Sequence, residues 1–291
     1  FAVKVYVCST WENVKILSQD RSIHILVVDE TYAKRDCSEV DAEQIFVLTT
    51  GNCKNVYREE KCVYKYQCVD QILSEILETY FEKTKENVMK SVKKEFVKII
   101  AIYSPIHRVG KTSFAIAFGK ELAKFKKVLY LNMEEYFGYG EMFEQIDNGN
   151  LGDALYYTKQ ENSNFGLRLR MLVRTIDELD YIPPMPVSLD LKEVRWEEWK
   201  VLFKQIVEDS VYEVILLDIG ESVQGLLKML DLCDRIYMPV LEDDVSQEKL
   251  RQYEENLQRL QLERLMEKTY MFIGLQDIEN KMRQLVKEEV L

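Results

Sequence analysis

The chain has 291 residues, 47% of them hydrophobic and 31% charged, which fits an ordinary globular protein of about two domains. Its longest apolar runs, such as 23–28 and 214–217, are strand-length and fall far short of the ~20 residues a membrane-spanning helix needs. A formal net charge of −11 weighs against nucleic acid as the main partner, because holding a polyanion takes clustered Lys and Arg. The one basic run, 83–98, reads as a solvated connector. No charged segment followed by an apolar one opens the chain, so no secretory leader is expected. The six cysteines form no CxxC pair and there are only two histidines, so zinc-ligand spacing is missing. Free buried thiols in a reduced, cytoplasmic compartment are expected.

In chain order, residues 3–8 read as a strand, 11–17 as a short helix, and 23–29, 45–50 and 62–66 as strands. Residues 69–81 read as a helix with Val69, Ile72, Leu73, Ile76, Leu77 and Tyr80 at helical spacing. Alternating strands and helices imply a parallel sheet, whose ligands collect at the carboxyl ends of the strands. Asp29, Thr49 (or Thr50) and Lys65 end there. This segment resembles the receiver domain of two-component signalling, in which an Asp, a Thr or Ser and a Lys–Pro close successive strands. The resemblance covers about the last two-thirds of a receiver, its first strand and helix being missing from this sequence. It would make Asp29 the phosphoacceptor. Tyr66 stands where the Pro belongs, however, and the acidic pair that would hold Mg²⁺ is missing with the first strand. A docking or dimerisation module is therefore expected rather than phosphorylation. Domain boundaries follow: an atypical receiver-like domain over 1–82, a linker over 83–95 and a larger domain over 96–291.

The larger domain opens with a buried strand, 96–103, then a loop, 104–113, then a helix, 114–125. Strand, loop with Gly-Lys-Thr and helix is the context of a phosphate cradle. A helix start offers unpaired N–H groups and a positive dipole end, and Gly110 lets the backbone approach closely. Lys111 would reach the β- and γ-phosphates while the Thr112 hydroxyl ligates Mg²⁺. Downstream, a strand over 211–218 ends in Asp218, placed as the second Mg²⁺-holding carboxylate. Strands at 128–131 and 235–240 and helices near 226–232 and over 246–267 complete a doubly wound α/β sandwich. Residues 133–157 read as a long loop with short helices, 181–186 as an extended connector, and Trp196 and Trp199 as core residues. The amphipathic tail, 278–291, mixes Lys and Glu on its polar face and is expected to pack on its own domain, leaving membrane contact at most indirect.

Residues 96–265 resemble the MinD/ParA group of P-loop ATPases. With a receiver-like segment in front, the chain is most similar to the TadZ/CpaE branch concerned with pilus assembly. Val109, Gly110, Lys111, Thr112 and Ser113 fall on the group's deviant Walker A motif, Asp218 on Walker B, and Asn132 and Glu134 on its Asp-X-Asp positions. The resemblance implies ATP and Mg²⁺ as cofactors. It implies a cradle of His107, Arg108, Val109, Gly110, Lys111, Thr112 and Ser113, and metal ligands Thr112 and Asp218. Lys111, Glu134 and Asp218 would carry whatever hydrolysis there is. It further implies a homodimer that positions a pilus or secretion machine in the bacterial cytoplasm, recruited to a membrane complex or a pole. Ile106 replaces the signature lysine, and His107 and Arg108 replace two glycines. The loop must therefore keep φ negative there or accept strain, and hydrolysis should be slow or absent. A nucleotide-free scaffold is the alternative reading, and a DNA-partitioning ATPase the third.

Overall fold

A computed structural model describes residues 4–32, 39–51, 61–67, 69, 72–73, 75–77, 79–80, 96–138, 149–160, 165–273 and 278–290, the last segment with side chains from 282 onward. The chain divides into two compact units, Phe1–Val92 and Lys93–Leu291.

In the first unit, strands β1 (Ile23–Asp29), β2 (Ala42–Thr49) and β3 (Lys61–Tyr64) form a parallel sheet in that order. Helix α1 (Trp11–Asp20) is N-capped by Thr10, whose hydroxyl accepts from the Asn13 N–H at 3.4 Å. Trp11 packs on one sheet face with Leu26, Val28, Val40 and Val47. On the other face Phe46 and Val63 meet Ile72, Ile76 and Tyr80, and the described residues between 69 and 80 are helical. Of the stripe expected from their spacing, Ile72, Ile76 and Tyr80 pack here, whereas Val69 and Leu73 are exposed. The strand expected at 3–8 is not formed: residues 4–8 are unpaired, and Val5 and Val7 are exposed. Alternating apolar residues stay out of a sheet when they find no neighbouring strand. Cys8 and Cys233 are free thiols as expected, whereas Cys62 is disulfide-bonded, against expectation.

The second unit is a doubly wound α/β sandwich. Its strands are β4 (Lys98–Ile102), β5 (Val128–Met133), β6 (Arg174–Ile176), β7 (Leu179–Ile182), β8 (Val214–Ile219), β9 (Arg235–Val240) and β10 (Thr269–Ile273). They lie in the order β10-β9-β4-β8-β5-β7-β6, and every pair is parallel except the β6–β7 hairpin. Strand alternation builds a core on each face. Ile99, Ala101, Leu129, Leu131, Ile215 and Leu217 pack under α3 (Leu151–Thr158), α4 (Phe165–Leu172), α6 (Trp196–Asp209) and α8 (Asp244–Arg259). Ile100, Ile102, Tyr130 and Leu216 pack under α2 (Lys111–Ala123) and α10 (Ile278–Val290). Short helices α5 (Ser188–Glu193), α7 (Leu226–Leu232) and α9 (Arg264–Glu267) complete the layers.

Trp199 is fully buried and stacked on Phe203, so the assignment of the tryptophans to the core holds there. The C-terminal helix packs on its own domain as expected, burying Met282, Leu285 and Val286 beside Phe114 and Phe118. Glu289 is buried with them. It accepts from the Tyr237 hydroxyl at 2.6 Å and forms ion pairs with Lys98 and, at 3.8 Å, Arg235.

Two expectations need correction. The segment at 181–186 is not merely a connector, since its start belongs to β7, paired with β5. The single helix expected over 246–267 is broken between α8 and α9 by Gln261 at φ 56°.

Candidate functional site

The strand order reverses beside β4, with β8 on one side and β9 on the other, so the carboxyl end of β4 opens on the crevice where ligands of such sheets collect. The loop from β4 into α2 is anchored inward by Ile106 and Val109, both buried in the core, and by the Ile106 N–H donating to Ser104 Oγ at 3.2 Å. Ile106 therefore serves as packing at the position where the resemblance would put a cation. His107 and Arg108 face outward, and His107 Nε2 lies 3.4 Å from Glu221 Oε2. Of the two ways for this loop to carry side chains, it takes the strained one at Arg108, whose φ is 58°. Gly110 follows at φ 79° with no side-chain cap on the helix, and α2 begins at Lys111, three residues before the start expected from hydrophobic spacing. The amides of its first turn and the positive dipole end lie behind Gly110, an arrangement suited to an anion.

The opposite wall comes from β5 and β8. Their register pairs Asn132 with Asp218 and Met133 with Ile219. Because side chains alternate along a strand, Tyr130, Asn132 and Asp218 share the face that carries α2. All three are buried. Asp218 Oδ2 accepts from the Tyr130 hydroxyl at 3.0 Å and from Asn132 Nδ2 at 3.3 Å. The same amide donates to the Tyr130 oxygen at 2.8 Å, while Asn132 Oδ1 accepts from the Glu134 N–H at 3.0 Å. An amide can donate and accept in this way at once and an ionised carboxylate cannot, so Asn is suited to a position where the resemblance has an acid. Burial pushes the Asp218 carboxyl up from 3.8 to about 6. Thr112 and Lys111 pull it down, and the Glu134 charge adds to the rise. Burial likewise drives the Tyr130 hydroxyl far above its ordinary value, so it stays a donor.

Lys111 closes the site. Its ammonium lies 2.7 Å from Glu134 Oε1, donates to the Ile219 carbonyl at 3.1 Å and sits 5.8 Å from the centre of the Tyr103 ring. Gly220 permits this closure. A Cβ there would come within 2.9 Å of the Met133 carbonyl and 3.1 Å of Glu134 Oε2. Thr112 is half-buried beside Asp218, and Ser113 is exposed on the same first turn.

The donor set fits a hard divalent cation. Asp218 Oδ1 is buried without a hydrogen-bond partner, and the Thr112 hydroxyl is close by. An uncapped helix start beside a lysine likewise fits a phosphate chain. Of the residues gathered here, the sequence singled out Lys111, Thr112, Glu134 and Asp218 as candidates but not Tyr130 and Gly220. The available signal was the two-residue alternation from Tyr130 to Asn132 on a strand already recognised.

In the first unit, Lys65 Nζ meets Asp29 Oδ2 at 3.2 Å, but the Thr49 hydroxyl donates to Glu30 at 2.8 Å rather than turning to Asp29. The Thr31 backbone N–H and hydroxyl, with Lys65, hold the Asp29 carboxyl below its ordinary value. Asp29 thus acts as the cap of its own turn.

No family profile matches the sequence, and no curated protein matches it. Among solved structures, the fold is similar to a plasmid partition protein of Borrelia burgdorferi B31 bound to AMPPNP, at 20% identity over 67% of this chain and 84% of that one, with a TM-score of 0.48. It is similar to a ParA family ATPase of Chlorobium tepidum TLS at 15% identity over 65% and 81%, TM-score 0.49. A third similarity is to the MinC:MinD cell division complex of Aquifex aeolicus, at 18% identity over 67% and 73%, TM-score 0.46.

Proposed function

We propose that the second unit binds ATP with Mg²⁺ at the start of α2 and acts as a MinD/ParA-like organiser. It would dimerise and position a pilus or secretion assembly, hydrolysing ATP slowly or not at all. One observation carries the nucleotide part: Lys111 and the buried Asp218, from opposite walls, converge on an uncapped helix start. In this reading the amides of 110–113 bind the phosphate chain and Lys111 neutralises it, with His107, Arg108 and Val109 shaping the loop. Thr112 and Asp218 hold Mg²⁺, which when bound draws charge off the phosphates. Glu134 is the candidate to orient an attacking water once Lys111 is engaged elsewhere. Ile106 supplies no cation, and this supports slow turnover. The TadZ/CpaE-like role, the homodimer and the bacterial cytoplasmic location rest on the sequence resemblance, and the Cys62 disulfide is the observation that runs against a reducing compartment.

Calorimetry with Mg-ATP tests the nucleotide site. Wild-type chain should bind and Lys111→Ala should not, with a single cooperative melting transition, shifted down by loss of the Glu134 pair, confirming that the variant folds. Equal affinity in the two would refute the assignment. A second reading, a scaffold that takes no nucleotide, is favoured by the ion pair that already engages Lys111. Failure of wild type to bind would select it. A DNA-partitioning role is the least supported given the net charge of −11, and a salt-sensitive gel shift would revive it.

A further inference from the structure

We infer that Glu134 is an internal competitor for the phosphate at Lys111, so that a nucleotide enters only by breaking an ion pair the protein makes with itself. This rests on the nucleotide-binding reading above. An ammonium has three N–H donors and no acceptor. Here its surroundings are protein groups: a carboxylate at 2.7 Å, the Ile219 carbonyl at 3.1 Å and the Tyr103 ring. The carbonyl belongs to a central strand and the ring is buried. Of these partners, the Glu134 side chain is the one that can swing away.

The pose of Glu134 is built. Its N–H is fastened by Asn132 Oδ1 at 3.0 Å, its side chain lies over Gly220 where no Cβ intervenes, and the pair is sheltered, with side-chain exposures of 10% for Lys111 and 22% for Glu134. A sheltered carboxylate on an ammonium makes a strong, charge-assisted hydrogen bond. A phosphate oxygen offers the same kind of acceptor, so the two compete for one donor. Any ligand that uses Lys111 must supply more negative charge there than Glu134 does. That favours a polyphosphate tail over a singly charged anion, and it weakens the apparent affinity for every nucleotide that reaches the lysine.

The test uses the full chain with Glu134→Gln, and Glu134→Ala as a second variant that removes the side-chain acceptor altogether. Affinities for Mg-ADP and Mg-ATP are measured by calorimetry, and melting temperatures are recorded without nucleotide. Both variants should bind about tenfold more tightly than wild type, or better, because the competitor for Lys111 is gone. Both should melt at a lower temperature without nucleotide and show a larger rise on adding it. Combining Glu134→Gln with Lys111→Ala should erase the gain, since the coupling runs through the ammonium. Wild-type binding that neither variant improves would overturn the inference alone. Absence of binding in wild type and both variants would overturn the nucleotide reading and the inference with it.

Discussion

Replacing Asp218 by Asn should stabilise the protein at neutral pH, although Asp218 is central to the proposed site. Burial raises its carboxyl from 3.8 to about 6. A carboxyl whose folded value lies above its unfolded one contributes stability that is complete below about pH 4 and lost as pH rises through about 6. The rise corresponds to on the order of 3 kcal/mol. Asn at 218 keeps an oxygen to accept from Tyr130 and Asn132 and never has to ionise, so the variant avoids that loss. Its new N–H₂ group must find an acceptor in place of the unpaired Oδ1, which trims the gain to at most about 2 kcal/mol. Urea unfolding followed by tryptophan fluorescence measures this, in a Trp11→Phe background so that Trp196 and Trp199, both in the unit of Asp218, report alone. The variant should exceed wild type at pH 7.5, and the two should converge near pH 4. A less stable variant at pH 7.5, or a difference that does not change with pH, would refute the buried-charge argument. In the nucleotide reading the same variant loses its Mg²⁺-dependent binding.

The other predictions concern the frame of the site. Gln261→Gly should raise stability by about 1 kcal/mol in the same unfolding assay, because a glycine meets no Cβ penalty at φ 56°. Glu289→Ala should lower it by about 2 kcal/mol and increase proteolysis of the C-terminal helix. It removes a charge-assisted bond to Tyr237 and the counter-charge for Lys98 and Arg235, whose partial exposure keeps the loss below that of a fully buried pair.

The sheet and the loop that leads into α2 were legible because their signals are local and strong. Residues 23–29, 226–232 and 235–240 fall on elements with those same bounds. Two of the misses share a cause, which is left-handed backbone on side chains that do not advertise it. Asp177 and Glu178, at φ 46° and 69°, make the tight turn between β6 and β7. Asn-Gly would have announced that hairpin, and Asp-Glu hid it. Gln261 ends α8 with bonds from its own N–H to Gln258 O at 3.0 Å and from Leu262 N–H to Leu257 O at 2.9 Å, a helix stop usually marked by glycine. The ring of contacts joining Asp218, Tyr130, Asn132, Glu134 and Lys111 lay deeper still. It depends on the register between β5 and β8, which hydrophobic spacing does not specify.

Helix α2 carries Lys111 at one end and, along its length, Phe114 and Phe118, which share a core with Leu285 and Val286 of α10. A truncation that ends before Ile278 would strip this outer layer and leave the aromatic flank of α2 facing water. Such a shortened chain would lose its grip on the helix that presents the lysine, and weakened binding in it would reflect a loosened mount rather than a missing ligand.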